Sequence, residues 1–270
     1  MKISFIGGGN MAHAIISGLK NSHFNMSEIT VIEPDELKRQ SLAQEHGVQV
    51  KNTYAEIAQA DVIVLAVKPQ QLKLACKEIG YFLSTQLVIS IAAGVRSENI
   101  SVWLNDYPAI VRTMPNTPAQ IQAGMSALYA MNEVSAKQRE QATTILASVG
   151  KLLWLDDESK MDAVTAISGS GPAYVFYFIE ALEEAGIGLG LSTSEAKALA
   201  LQTFYGASLL ANASVKSAKL LRSEVTSKGG TTEQGILALE TANVKEAIFY
   251  AAQAAAIKSL QLGNEFSHLK

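Results

Sequence analysis

The chain has 270 residues, of which 48% are hydrophobic and 17% charged, with a formal net charge of -3. That length fits one or two domains, and the near-neutral charge offers no electrostatic footprint for a nucleic-acid partner. Cys76 is the only cysteine, which excludes an internal disulfide and a cysteine-rich metal cluster and suits a reducing, cytoplasmic setting.

The opening MKISFIG places a lysine before apolar residues, as a signal peptide does, but the run stops after Ile6. It reads as a first strand with nothing to be cleaved, and no later apolar segment reaches transmembrane length. In chain order, β-rich runs predict strands at 2–6, 29–32, 62–66, 87–90, 109–114 and 126–130. Helical patterns fall between them at 11–20, 35–45, 54–59, 71–83, 97–104 and 135–148. This alternation predicts an α/β domain with a parallel sheet covered on both faces. The run DVIVLAV lacks polar alternation, as a central strand buried on both sides should.

From about Met161 the pattern is helical, at 172–189, 194–211 and 232–261. Tyr174, Phe176, Tyr177, Phe178 and Ile179 wrap around a helix instead of forming one stripe, which implies burial either between subunits or inside one. The change of character divides the chain into 1–160 and 161–270, the second a helical dimerisation unit. The stretch 263–270 is charged, contains a glycine and reads as frayed surface.

Gly7-Gly8-Gly9-Asn10-Met11-Ala12 fits GxGxxA between a strand and a helix. Gly7 makes a tight turn, Gly9 lets a pyrophosphate approach the backbone, and Ala12 permits close helix packing. Glu33, at the end of the next strand, suits the ribose hydroxyls of NAD(H), whereas Lys38 and Arg39 either neutralise the 2′-phosphate of NADP(H) or face solvent. Later strand ends carry Ala66-Val67-Lys68-Pro69, Ala92-Ala93-Gly94 and Met114-Pro115-Asn116, each read as a cofactor loop because ligands of open α/β sheets bind beyond the strands' carboxyl ends. For the last, a purely structural turn is the competing reading.

Two loops introduce helices farther on. Ser168-Gly169-Ser170-Gly171-Pro172 precedes the aromatic helix, and Ser227-Lys228-Gly229-Gly230-Thr231-Thr232 precedes the last helical region. Either is explained by capping, and the second also suits a small carboxylate at a helix start. His13, His23, His46 and His268 lie outside these loops, and no spacing among them suggests a metal site.

FIGGGNMA, VKP, SIAAGV, RTMPNTP, DAVTAISGSGPAYVF and VTSKGGTT, in that order, span nearly the whole chain. The chain resembles the pyrroline-5-carboxylate reductases, which form L-proline in the last step of its biosynthesis. The resemblance implies an N-terminal Rossmann-like dinucleotide-binding domain followed by an all-helical dimerisation domain. It also implies an interwoven homodimer, sometimes built into larger rings, with the active site between the cofactor domain and helices of the dimer. NADPH is slightly favoured over NADH, and the cofactor contacts include Gly7–Ala12, Asn52, Lys68, Ala93 and Asn116. Gly229, Gly230 and Thr231 would hold the substrate carboxylate, beside Ser227, and Thr232 would place its hydroxyl near the ring nitrogen, as the catalytic residue.

Lys228 stands where the family commonly has proline, and 212–223 lacks the acidic residue and His-Pro pair often found there. Lys228 either adds positive potential toward the carboxylate or projects into solvent. The alternatives are another imine or hydroxyacid oxidoreductase, or a nucleotide-sensing protein without turnover. SGSGPAY lacks the lysine that a hydroxyacid enzyme commonly uses as its base, and both substrate loops are retained.

Overall fold

The computed structural model describes residues 1–267. Among these, one sheet is built from β1 (Ile3–Ile6), β2 (Ile29–Ile32), β3 (Gln49–Lys51), β4 (Val62–Leu65), β5 (Leu87–Ser90), β6 (Ile110–Met114), β7 (Gly124–Ala130) and β8 (Gly150–Trp154). Their spatial order is β3-β2-β1-β4-β5-β6-β7-β8. Pairing is parallel from β3 to β6, antiparallel between β6 and β7, and parallel again between β7 and β8.

The all-parallel expectation therefore fails at β7. Residues 115–123 hold only the 3-10 turn Thr117–Ile121. A parallel return needs a crossover of roughly a dozen residues or more, so this shorter link reverses the chain. The helix expected at 54–59 reduces to a 3-10 turn at Ile57–Gln59. Six residues between two strands are too few to offset the cost of helix nucleation.

The helices of this part are α1 (Asn10–Asn21), α2 (Glu36–His46), α3 (Pro69–Ile79), α4 (Ser97–Trp103) and α5 (Ala136–Ala147). Their ends follow local chemistry. Asp35 caps α2 by accepting from the Lys38 N–H, Pro69 opens α3, and Ser135 with Gln138 forms a capping box on α5. Val62 and Val64 of β4 join the core on the α1–α5 side, whereas Ile63 and Leu65 join the core on the α3–α4 side. This strand is buried on both faces, and each such side chain contributes about 1.5–3 kcal/mol relative to exposure. Cys76 is fully buried within the second core, and burial pushes its thiol up to about 12.

A partly buried ion pair fastens the middle of β6. Arg112 Nη1 donates to Glu158 Oε1 at 2.9 Å, and the same carboxylate accepts from the Ser97 N–H at 2.8 Å and hydroxyl at 2.6 Å. Glu158 thus satisfies both the guanidinium and the start of α4.

Farther along lie α6 (Met161–Val164), a π-helical turn at Thr165–Gly169, α7 (Gly171–Gly188), α8 (Thr193–Ala213), α9 (Ala218–Glu224), α10 (Thr231–Thr241) and α11 (Val244–Ser267). The helix expected across 232–261 is two, broken where Asn243 takes a left-handed conformation (φ 54°) that asparagine tolerates better than most residues. The 263–267 stretch is not frayed: it continues α11, with Gly263 buried and Phe266 in the core cluster of the α3–α4 side. Residues 268–270, including His268, lie outside the described residues. No helix among the described residues is long and apolar enough to cross a membrane.

By contacts the chain forms two compact units, Met1–Ser170 together with the stretch from Ala254, and Gly171–Gln253. In the second unit only Ala196 and Ala200 are buried. The aromatic residues of α7 are not enclosed within one subunit: Phe176 is 64% and Tyr177 69% exposed.

Replacing Glu158 with alanine strands a buried guanidinium and an N–H of α4. Stability should fall by about 3 kcal/mol, read as a lower urea midpoint, and adding Arg112→Met should recover most of the loss. An unchanged midpoint in Glu158→Ala would show that the pair contributes nothing.

Candidate active site

After Ile6 the chain turns at once into α1. Gly7 has φ +96°, and a Cβ there would stand 2.9 Å from the Ala66 carbonyl oxygen, so the turn admits no side chain without strain. The Gly7 N–H donates to the Ile32 carbonyl and the Ala66 N–H to the Ile6 carbonyl, both at 2.8 Å. These bonds hold the carboxyl ends of β1, β2 and β4 together. The Gly8 N–H donates to Glu33 Oε2 at 2.9 Å, while Glu33 Oε1 accepts from the Asp35 N–H at 3.1 Å.

Gly9 is the N-cap of α1, extended, with no side-chain cap and no acidic residue in the first turn. The amide dipoles of Asn10, Met11 and Ala12 therefore stand at a helix start suited to an anion. A cleft of about 450 Å³ opens beside them, lined by Gly7, Gly8, Gly9, Glu33, Lys38, Ala66, Val67 and Lys68 among others. Its form and its donor set fit a dinucleotide: apolar strand ends, close backbone and cations at the rim.

Other expected cofactor residues are placed differently. Arg39 Nη1 donates to the Glu33 and Pro34 carbonyls, both at 2.7 Å, which pins the guanidinium at the β2–α2 turn. Asn52 is exposed just past β3, and Pro69 is the first residue of α3. Ala92, Ala93 and Gly94 follow β5, where Gly94 (φ +76°) packs against Leu262 of α11. Met114 ends β6 and Pro115 is buried beyond it. The Asn116 amide is engaged at both ends, donating to the Ser168 carbonyl at 3.2 Å and accepting from the Met125 N–H at 2.9 Å. None of these residues lines the cleft.

Among the lining residues that the sequence did not point to are Tyr54, Gln71, Leu74 and Glu78. The last three share one face of α3 at helical spacing, a signal available once α3 was known to start at the cleft. Tyr54 carried no such signal. Burial, then the nearby Glu78 carboxylate, holds its phenol above the ordinary value, so it remains a neutral donor.

In the second unit, Gly229 is left-handed (φ +77°) and Gly230 is the N-cap of α10 with no side-chain cap. The Gly230 N–H donates to the Ser227 carbonyl, and the Gly229 N–H to Glu233 Oε2 at 2.7 Å. Thr231 and Thr232 begin the helix, exposed, with their N–H groups at its positive end. Lys228 is exposed beside them. The divergent 212–223 stretch forms much of α9, capped by Ser217 and braced by a Lys216–Glu224 ion pair at 2.6 Å.

A sheet in the order 3-2-1-4-5-6 with an uncapped glycine turn at its centre, preceding a helical domain, is the frame of an NAD(P)(H)-binding protein. A family profile described as pyrroline-5-carboxylate reductase dimerisation matches residues 158–262, and one described as coenzyme F420-dependent NADP oxidoreductase matches 2–94. The pyrroline-5-carboxylate reductase of Pseudomonas aeruginosa is 43% identical over 266 residues, covering 98% of this chain and 97% of its own. Solved structures of the reductases of Coxiella burnetii and, with NADP bound, Plasmodium falciparum superpose with TM-scores of 0.92 and 0.87. They are 40% and 31% identical, and each match covers 97% of this chain and 98% of the other. The chain belongs to the pyrroline-5-carboxylate reductase family.

A Cβ on Gly9 would meet no protein atom closer than the Ala66 oxygen at 3.9 Å. Gly9→Ala should therefore change stability by less than about 1 kcal/mol. Its methyl would still lie in the path of the pyrophosphate, weakening NADPH binding about tenfold or more in a fluorescence titration. Gly7→Ala should lose both stability and binding; equal affinity for Gly9→Ala and parent would remove Gly9 from the cofactor path.

Proposed function

We infer that this chain reduces 1-pyrroline-5-carboxylate to L-proline with NAD(P)H, the closing step of proline biosynthesis. The observation that carries this reading is the start of α10, where the N-cap is a glycine with no side-chain cap and the Thr231 and Thr232 N–H groups stand at the helix's positive end as the receptor for a small carboxylate. Its supports are family membership and the dinucleotide cleft of the first unit.

When bound, NAD(P)H supplies the hydride that adds to carbon of the cyclic C=N bond. The chain's task is positioning. Thr231 receives the carboxylate through its backbone N–H, and Gly229 and Gly230 do so by exchanging their bonds to Glu233 and the Ser227 carbonyl for it, with the Ser227 hydroxyl beside them. The Thr232 hydroxyl orients the ring nitrogen, which is basic enough to carry its own proton, so no strong acid is needed. Gly7–Ala12, Lys38, Arg39 and the 66–69 loop serve the cofactor, together with Asn52 and the loops at 92–94 and 114–116.

NADPH is favoured over NADH. Both oxygens of Glu33 are already held by backbone N–H groups, and Lys38 and Arg39 stand one helical turn away with positive charge for a 2′-phosphate. The working form is a homodimer, supported by the nearly coreless second unit with exposed Val175, Phe176, Tyr177, Leu209 and Phe249. A cytoplasmic location agrees with a single, buried thiol.

The test is turnover of pyrroline-5-carboxylate with NADPH or NADH, followed by nicotinamide absorbance and proline formation. NADPH should give the lower KM, and Lys38→Ala should narrow that preference about fivefold, the effect of one exposed charge pair. Thr232→Ala should lower kcat at least about tenfold with cofactor affinity unchanged. Cofactor binding without proline formation would refute the reaction, and parallel loss of kcat and cofactor affinity would make Thr232 a structural cap.

A further inference from the structure

Away from the cleft, α1 and the end of α2 bring together three side chains that the reduction does not use. His13 stands on α1, and Glu45 and His46 close α2. His46 Nε2 lies 3.2 Å from His13 Nδ1, with the rings edge to face. Glu45 Oε2 is 3.7 Å from His13 Nδ1, and Glu45 Oε1 is 3.6 Å from His46 Nε2. We propose that His13, Glu45 and His46 bind a divalent first-row transition-metal ion, zinc foremost, that clasps α1 to the carboxyl end of α2.

The distances separate this reading from a simple histidine pair. One shared proton accounts for the 3.2 Å contact between the two ring nitrogens. It leaves the carboxylate oxygens beyond hydrogen-bond length from those same nitrogens, yet each oxygen faces one of them. Zinc bonds of about 2.0–2.2 Å arranged tetrahedrally set neighbouring donors roughly 3.3 Å apart, which the two ring nitrogens match, while each Glu45 oxygen stands a few tenths of an ångström wider from the nitrogen it faces. Donor atoms from the three residues all fall within 4.8 Å of one another, so one ion reaches all of them.

The chemistry of the set agrees. Two imidazoles and a carboxylate suit zinc, cobalt or nickel better than calcium or magnesium, which prefer all-oxygen shells. His46 is 4% exposed at its side chain and so fixed by packing, while His13 is 30% exposed and Glu45 60%, which gives an ion a path in. A cleft of about 330 Å³ adjoins the three, with Asn10, Ser17 and Gln120 on its wall to hydrogen-bond a water in the fourth position.

The full, tag-free chain, stripped with chelator, should be titrated with Co2+ and then Zn2+. The expected result is one Co2+ per chain with the visible bands of a four-coordinate site, displaced by Zn2+. Zinc should raise the melting temperature by about 5 °C, the shift expected for an ion binding only the folded state. His13→Ala, at a partly exposed position that tolerates truncation, should abolish both signals, and Glu45→Gln should weaken them. Absence of the bands, or an unchanged zinc shift in His13→Ala, would overturn the site.

Discussion

Glu33, the residue after β2, has a buried carboxylate that accepts from the Gly8 N–H on one side and the Asp35 N–H on the other. An unpartnered carboxylate there would cost several kcal/mol, whereas bonds to a charged group contribute about 1.5–3 kcal/mol each. Through them one side chain ties the glycine turn to the segment that caps α2, since Asp35 accepts in its turn from the Lys38 N–H. The turn cannot drift from β4 either, because the Gly7 backbone lies against the Ala66 carbonyl. Three strand ends and two helix starts are therefore fixed by a handful of hydrogen bonds. With the Gly8 N–H committed to Glu33, anion binding falls to the first turn of α1.

The same arrangement sets the electrostatics of the ribose end. Glu33 and Lys38 line the cleft, and Arg39 is pinned at the adjoining β2–α2 turn. Arg39 is held by two carbonyls, so its charge is already positioned and little side-chain entropy is lost when a phosphate approaches. Lys38 is exposed, and its attraction is screened beyond about 8 Å at physiological salt. A preference for NADPH resting on such charges is modest and falls with ionic strength.

Much of the nucleotide half was legible because its signals are local. GxGxxA, the uninterrupted DVIVLAV run and the Asp35 and Ser135 caps each act within a few residues. What escaped depends on distant partners. β3 is three residues long and β8 sets Leu152 and Leu153 side by side although its burial alternates, so neither carries a readable period in sequence, yet each finds its place by pairing with a longer neighbour. Phe266 reads as tail and is core, because the end of α11 packs on the loop after β5. The Asn116 amide, beyond any part in holding cofactor, joins Ser168 to the start of β7 across 52 positions of sequence, which no local signal shows. His13 and His46 are 33 residues apart and carry no metal-ligand spacing; only the packing of α1 on α2 makes them neighbours.

The second unit poses a different physical problem. Its helices are well made locally, with a capping box at Ser192 and Glu195 and a cap at Ser217. Helix propensity and caps supply at most about 1 kcal/mol apiece, far less than the conformational entropy lost in ordering these helices. Burial has to supply the difference, and within one copy only two alanines are buried. The apolar residues needed for a core are present but exposed, among them Leu199, Tyr205, Leu210 and Tyr250. Association with a second copy through these faces is thus a condition for this unit to be stable, in addition to any part it plays in catalysis. On that reading its stability depends on protein concentration, and a substitution such as Leu210→Ala acts on folding and assembly together.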